Sequence, residues 1–132
     1  MTAAVLVGLG GMVGALLRFA VDTACEALRA RRRHPSSPEP PFPVGTLVVN
    51  ILGSGVIGVS WGLLLNSALT SPVYTVLGAG LAGGYTTFST FTVAAVLLWQ
   101  GRRQVAAVVH VLAHVGCGLG AVWLGLLATG AM

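Results

Sequence analysis

The chain has 132 residues, of which 55% are hydrophobic and only 8% are charged, and its formal net charge is +4. About a quarter of the residues of a soluble globular domain are charged, so this composition excludes a soluble domain and indicates an integral membrane protein. The basic residues lie beside apolar segments and have no aromatic stacking platform. They therefore favour contact with membrane lipid headgroups and exclude a nucleic-acid partner.

Four apolar segments are each close to the ~20 residues that a helix needs to cross the hydrocarbon core. They lie at residues 3–21, 44–65, 73–99 and 105–128. We therefore predict an all-α fold of four transmembrane helices in a single domain, residues 1–132. No basic region precedes the first segment, so it is predicted to be a retained span and not a signal peptide. Residues 29–43 are basic and then rich in proline and serine, which predicts a loop with little helix.

The third segment is too long for a simple span and contains GGYTTFSTF, residues 83–91. A glycine pair weakens a helix, and four hydroxyl side chains offer the backbone alternative hydrogen bonds. We expect the third helix to be broken here. Non-helical backbone at membrane depth is tolerated only where it is buried in protein or lines a cavity, and its carbonyls can then ligate a cation.

Glycines recur four residues apart in every span, a spacing that lets helices approach closely in lipid. The pairs are Gly10/Gly14, Gly58/Gly62, Gly80/Gly84 and Gly116/Gly120. They predict a tightly packed bundle. Four helices with such small side chains are too few to enclose a substrate path, which favours an oligomer.

The arginines predict the orientation in the membrane. Arg29, Arg31, Arg32 and Arg33 lie in the first loop, and Arg102 and Arg103 lie in the third. The second loop and both tails contain neither arginine nor lysine. By the positive-inside rule, loops 22–43 and 100–104 are cytoplasmic and both termini lie outside.

All three acids, Asp22, Glu26 and Glu39, lie at the end of the first span or in the first loop. Proton and cation antiporters usually need an acid within the membrane, so this placement argues against antiport. Paired-carboxylate catalysis is excluded in the same way, and no Ser-His-Asp or HExxH arrangement exists. We predict that the chain is not an enzyme.

The polar residues left inside the spans are neutral or positive. Asn50 can donate two hydrogen bonds to an anion or can link helices. Arg18 can draw anions into a vestibule or extend to the headgroups. His110 and His114 are one helical turn apart, a spacing that suits a metal, interhelical hydrogen bonds or a polar path; without a third ligand the last two are favoured.

Phe88 and Phe91 are three residues apart and share a helix face. Packing against lipid or core is the simpler explanation of such a pair. However, the positive edge of an aromatic ring can also contact a small anion. Together with Asn50, the expected break and the lack of an intramembrane acid, the two rings favour a path for a small anion.

These motifs resemble the Fluc (CrcB) family of fluoride channels over nearly the whole chain. GGMVGALLRF, GTLVVNILGS and GGYTTFSTF are similar to the motifs of its first three spans, and the third is the most specific. The resemblance implies an antiparallel dimer with two fluoride pores, and passive export of fluoride that protects the cell. It also implies a structural Na⁺ at the dimer centre, held by backbone carbonyls at the break.

The resemblance also implies a role for individual residues. The Na⁺ carbonyls are those of Gly83 and Thr86, and the fluoride pore contains Asn50, Phe88, Phe91, Ser89 and Thr90. Arg18 is the vestibule arginine. Selectivity for fluoride over chloride comes from the resemblance alone, since the residues themselves indicate only a small anion.

The chain departs from the family pattern in two ways. His110 and His114 stand where the family often has tyrosine and serine on a polar track, which suggests conduction that depends on pH. The strong arginine bias should fix one orientation, so an antiparallel dimer needs an oppositely oriented homologous subunit. We therefore favour a heterodimer over a homodimer. The alternatives are a small multidrug-type antiporter and a non-conducting structural partner of a heterodimeric channel.

Overall fold

The computed structural model describes residues 2–32 and 42–132, and these residues form helices and short connections with no strand. The elements are α1 (Thr2–Arg32), α2 (Val44–Leu65), α3 (Ser71–Thr75), a π-helical segment (Val76–Ala82), α4 (Gly83–Tyr85), α5 (Phe88–Gln100) and α6 (Gln104–Ala128). Four stretches are long and apolar enough to span a membrane: Thr2–Arg31, Val44–Leu65, Ser71–Gln100 and Gln104–Ala128. The all-α, four-span prediction is confirmed.

Helix α1 is longer than the sequence predicted. It continues to Arg32, so residues 29–32 are helical and not part of a loop. The physical reason is local, because residues 26–32 (EALRARR) are all strong helix formers and the first proline follows only at position 35. The extension also brings Glu26, which the sequence analysis placed at the end of the first span or in the first loop, into the first candidate span. Of the rest of the predicted loop, residues 33–41 lie outside the described residues, and residues 42–43 are not helical.

The molecule exposes its apolar side chains. Val105 is 78% exposed, Phe88 76% and Phe19 70%. Among the described residues, the buried apolar side chains are Val49, Ala82, Leu98 and Ala107, whereas Thr46, Ser60, Thr87 and His110 are buried polar ones. This distribution suits a chain surrounded by lipid, in which polar groups turn inward because hydrocarbon cannot hydrogen bond to them.

Two helix contacts organise the bundle. Helix α2 packs along α6, and α1 packs along the π-helical segment and α4. A Cβ atom on Gly14 would collide with the Leu81 carbonyl oxygen, and one on Gly84 with the carbonyl oxygen of Gly11. Three of the four glycine pairs therefore mark close contacts, as their spacing predicted. At the fourth pair, Gly116/Gly120, an added Cβ would meet nothing within 4 Å among the described residues.

The arginines gather at one end of the bundle. Arg29, near the end of α1, lines a cavity together with Gly45 at the start of α2. Phe42, just before α2, lines another with Arg102 and Arg103 in the turn between α5 and α6. Arg29 and the pair Arg102 and Arg103 therefore lie on the same side of the four spans, whereas Arg18 bonds to Thr86 within the third span.

Candidate functional site

The third span leaves the helical conformation at Thr86 and Thr87. Thr86 has φ −78° and ψ 162°, and Thr87 has φ −145° and ψ 122°. Gly83, by contrast, is α-helical with φ −63° and ψ −39°. The sequence analysis emphasised the glycine pair, but the extended residues are the two threonines that follow it. Threonine is β-branched and adopts extended backbone readily.

Thr87 caps the N-terminus of α5. Its hydroxyl oxygen accepts a hydrogen bond from the backbone N–H of Thr90 at 3.2 Å. The same oxygen lies 3.1 Å from the Thr90 hydroxyl and 3.3 Å from the Ser89 hydroxyl. The cap restarts the helix directly after the extended residues. Thr87 was missed as a site residue, although a threonine just before an apolar helix is a recognisable N-cap signal.

Asn50 on α2 holds the extended backbone in place. Its Nδ2 donates to the Thr87 carbonyl oxygen at 3.0 Å, and its Oδ1 accepts from the Thr87 N–H at 2.8 Å. Of the two alternatives for this side chain, the structure places it in the linking geometry. One Nδ2 hydrogen remains for a further acceptor.

The carbonyls of Gly83 and Thr86 both lose their α-helical hydrogen-bond donors. The N–H of Thr87, four residues after Gly83, bonds to Asn50, and the N–H of Thr90, four residues after Thr86, bonds to the Thr87 hydroxyl. Carbonyl oxygens released in this way are hard donors that fit Na⁺, so the donor set agrees with the ion that the resemblance implies. Arg18 Nη1 donates to the Thr86 oxygen at 3.1 Å, which leaves that oxygen one further lone pair. The guanidinium therefore points to the break and away from the headgroups.

A cavity of about 370 Å³ opens beside the break. Its wall consists of Asn50, Ser54, Ile57, Thr86, Thr87, Phe88, Phe91, His114 and Val115. The Phe88 and Phe91 rings lie 5.8 Å apart between centroids. None of these wall residues is an acid, a lysine or an arginine. The cavity thus brings together the predicted asparagine, both predicted phenylalanines and one predicted histidine in a nearly uncharged wall.

Other predicted residues lie outside this wall. Thr90 lines a separate cavity of about 500 Å³ near the arginine-bearing end, with Asp22 and Thr46. Ser89 and Gly83 are exposed on the outside of the chain. The structure therefore does not gather all predicted pore residues around a single space.

His110 is fully buried behind the Phe91 ring. The two rings are stacked, with centroids 5.2 Å apart, and the edge of Phe42 meets His110 at 5.6 Å. Phe42 and Ser54 were missed by the sequence analysis. Ser54 follows Asn50 by one helical turn, which was a usable signal; Phe42 precedes α2 in a proline-rich connection, and nothing local indicates its contact with α6.

Comparison with known proteins identifies the family. Residues 5–126 match the family model described as CrcB-like protein, Camphor Resistance (CrcB). The fluoride-specific ion channel FluC of Renibacterium salmoninarum is 43% identical over 122 residues, covering 92% of this chain and 94% of that protein. Fluoride-specific ion channel FluC 2 of Rhodococcus jostii is 38% identical over 124 residues, 94% of this chain and 96% of that protein. FluC of Saccharophagus degradans is 36% identical over 124 residues, 93% of this chain and 86% of that protein. The chain therefore belongs to the CrcB family, whose three relatives named here are ion channels and not enzymes.

Proposed function

We propose that this chain is a subunit of a passive, fluoride-selective channel. The names of its relatives support the substrate, and the four spans support a multi-pass position in the membrane. Family membership favours this function over the small multidrug-type antiporter. The cavity beside the break is the one observation that carries the mechanism, because its wall offers ring edges, hydroxyls and an amide instead of a fixed charge.

The uncharged wall suits an anion that must both bind and leave. A buried full positive charge would hold fluoride too tightly for conduction, whereas several weak donors can replace its water in steps. The rings of Phe88 and Phe91 line the cavity and have edges that can contact an anion, and Asn50 retains one amide hydrogen. We propose that fluoride passes along these three side chains.

Fluoride efflux from liposomes tests the path. We expect Phe91→Leu to lower the efflux rate by at least about tenfold, because leucine lacks the polarised ring edge. Phe19→Leu is the matched control, since Phe19 lies on α1 and is 70% exposed away from the cavity. Equal rates for the two variants would show that the cavity is not the path.

Export of fluoride that protects the cell is the physiological part of the proposal. Fluoride enters acidified cells as HF and is trapped as the anion, so a passive pore is sufficient to release it. Expression of the chain, with its partner if one is needed, should restore growth of a fluoride-sensitive bacterium on fluoride medium. Growth that the Phe91→Leu variant restores equally well would contradict this role.

A structural Na⁺ at the break is part of the proposal. Gly83 and Thr86 would hold it with backbone oxygens, and the exposed position of Gly83 leaves room for the same pair from a second subunit. The ion would give these oxygens a partner and fix the extended backbone. Purification in K⁺ in place of Na⁺ should lower both the thermal midpoint and the efflux rate, and unchanged values in K⁺ would rule the ion out.

An antiparallel dimer with an oppositely oriented homologue completes the proposal. The gathering of the arginines at one end supports a single orientation, with loops 22–43 and 100–104 cytoplasmic and both termini outside. An antiparallel homodimer requires that copies of this chain insert into the membrane in both orientations. Efflux from liposomes that hold this chain alone would overturn the heterodimer. If only co-reconstitution with an oppositely biased homologue gives efflux, the Phe91→Leu variant in that mixture tells a conducting subunit from a structural one.

A further inference from the structure

His110 and His114 on α6 each hydrogen bond to a carbonyl oxygen through one ring nitrogen. His110 Nε2 lies 3.2 Å from the Phe91 carbonyl oxygen, and His114 Nδ1 lies 2.8 Å from the carbonyl oxygen of His110. A carbonyl oxygen can only accept, so both of these ring nitrogens carry hydrogen and donate. The hydrogen bonds therefore fix the tautomer of each neutral ring.

The other nitrogen of each ring must then carry a lone pair. These atoms are His110 Nδ1 and His114 Nε2, and both are buried without a hydrogen-bond partner among the described residues. The ring centroids are only 4.3 Å apart. Two acceptors without a donor are costly in a low-dielectric interior, and such an arrangement usually marks a place that something else completes.

The pair adjoins the proposed fluoride path. His114 lines the cavity beside the break, and the Phe91 ring contacts His114 at 4.7 Å as well as His110. In the neutral state the free nitrogens offer only lone pairs, which repel an anion. One added proton changes this, because it supplies an N–H donor and a positive charge at the same atom. A second proton is disfavoured by the nearby like charge.

No other titratable side chain faces the pair from the surrounding described elements. Helix α5 contributes Phe91, α2 contributes Asn50 and Ser54, and Phe42 covers the remaining side. Among the described charged side chains, Arg18 bonds to the oxygen of Thr86 in the cavity wall, and Arg102 and Arg103 line a different cavity together with Phe42. Among the described residues that line the cavity or contact the pair, none carries a carboxylate, so the path can supply the anion to a protonated pair.

We infer that His110 and His114 together form a proton-linked fluoride site, which takes up one proton and one fluoride ion as a unit. The inference rests on the proposed function for the identity of the anion. By reciprocity, fluoride raises the affinity of the pair for a proton as much as the proton raises its affinity for fluoride. Fluoride should accordingly bind more tightly as the pH falls, and its flux should depend on pH.

Nuclear magnetic resonance of ¹⁵N-labelled histidine in the full-length protein tests the linkage directly. The chain has three histidines, so His34→Gln leaves only the pair in the spectrum. We expect the pair to bind one proton with an affinity about fivefold or more higher in NaF than in NaCl. His110→Gln and His114→Gln should each abolish the difference between the two salts.

Efflux from liposomes between pH 8 and pH 6, corrected for HF leakage through protein-free liposomes, is the second readout. Efflux that changes with pH in wild type and in His34→Gln, but not in His114→Gln, supports the site. Efflux that is independent of pH, with equal titrations in NaF and NaCl, overturns the site and leaves the channel intact. A fluoride-dependent titration without efflux, alone or with an oppositely oriented homologue, supports the site and counts against the channel. If folded protein shows neither a fluoride-dependent titration nor efflux, both the site and the channel are overturned.

Discussion

Two polar regions lie within the spans, and they treat their hydrogen bonds in opposite ways. At the break, the extended backbone and its side chains satisfy one another: Asn50 pairs with both backbone groups of Thr87, and Arg18 bonds to Thr86. On α6, each of His110 and His114 keeps a buried nitrogen without a partner among the described residues. Both regions line or adjoin the same cavity.

This difference suggests different roles: the break supports the fold, whereas the histidine pair responds to protons. The break resists change, because a rearrangement would break the bonds that Asn50 and Arg18 make there and leave their partners unpaired in hydrocarbon. A region with spare acceptors can change its state at little structural cost when a proton arrives. We therefore expect substitutions at the break to affect stability most, and substitutions in the pair to affect mainly the dependence on pH and fluoride.

Asn50→Ala should have the largest effect on stability. It removes both bonds to Thr87 and leaves a buried N–H and a buried carbonyl unpaired, so we expect the free energy of unfolding to fall by about 2 to 4 kcal/mol. Thermal unfolding in detergent measures the change. The matched control is Asn66→Ala, which removes one exposed bond to the Thr129 carbonyl oxygen. Similar losses in the two variants would contradict the supporting role of Asn50.

Gly84→Ala should be the next most damaging. Its Cβ would collide with the carbonyl oxygen of Gly11 and push α4 away from α1. Overpacking of this kind costs about 1 to 3 kcal/mol. Gly8→Ala is the control, because its new Cβ would meet nothing within 4 Å among the described residues. The fluoride-dependent titration of the histidines should survive Gly84→Ala, and its loss would mean that the two regions are coupled through the bundle.

Thr87→Val should destabilise the protein by about 1 kcal/mol, since it removes the N-cap of α5 while keeping a β-branched side chain. Thr87→Ser restores the hydroxyl and should recover most of the loss. Thr92→Val serves as the reference for losing a hydroxyl outside the cap, because the Thr92 hydroxyl only bonds back to Phe88 and Ser89 carbonyls within α5. A Thr87→Ser variant as unstable as Thr87→Val would refute the capping explanation.

His110→Phe should have the smallest effect on stability, less than about 1 kcal/mol. The change loses one bond to the Phe91 carbonyl but also removes a buried nitrogen that has no partner among the described residues, and the rings are similar in size. The same thermal unfolding experiment measures it. If the free energy of unfolding fell as much as in Asn50→Ala, the histidine pair would support the fold just as the break does.

The sequence predicted those features that follow from hydropathy and spacing. Four spans are visible because hydrocarbon demands long apolar helices, and the Gly14 and Gly84 contacts follow from the spacing of small residues. The motif residues Asn50, Phe88 and Phe91 could be assigned to one site because the resemblance is specific there. The structure places all three in the wall of one cavity.

The remaining features depend on contacts between distant parts of the chain. The extended residues fall on Thr86 and Thr87 because Asn50, 37 residues away, binds that backbone, and no local preference encodes this pairing. The two free histidine nitrogens depend on which carbonyl each ring meets, which includes Phe91 on another helix. Helix α1, by contrast, could have been extended correctly, since residues 26–32 are strong helix formers and the basic charge drew attention to a loop.

The π-helical segment Val76–Ala82 sets the rotational phase of everything that follows it in the third span. Each π turn contains one residue more than an α turn, and one residue corresponds to about 100° of rotation around the helix axis. The number of residues in this segment therefore sets the angle around the helix axis at which Gly83 and Thr86 lie. Insertion or deletion of a single residue there would leave the depth of the break nearly unchanged and would swing it about a quarter of a revolution around the axis. The π-helical segment thus sets the direction that the following helix faces, whereas residues elsewhere in the chain set the length of that helix.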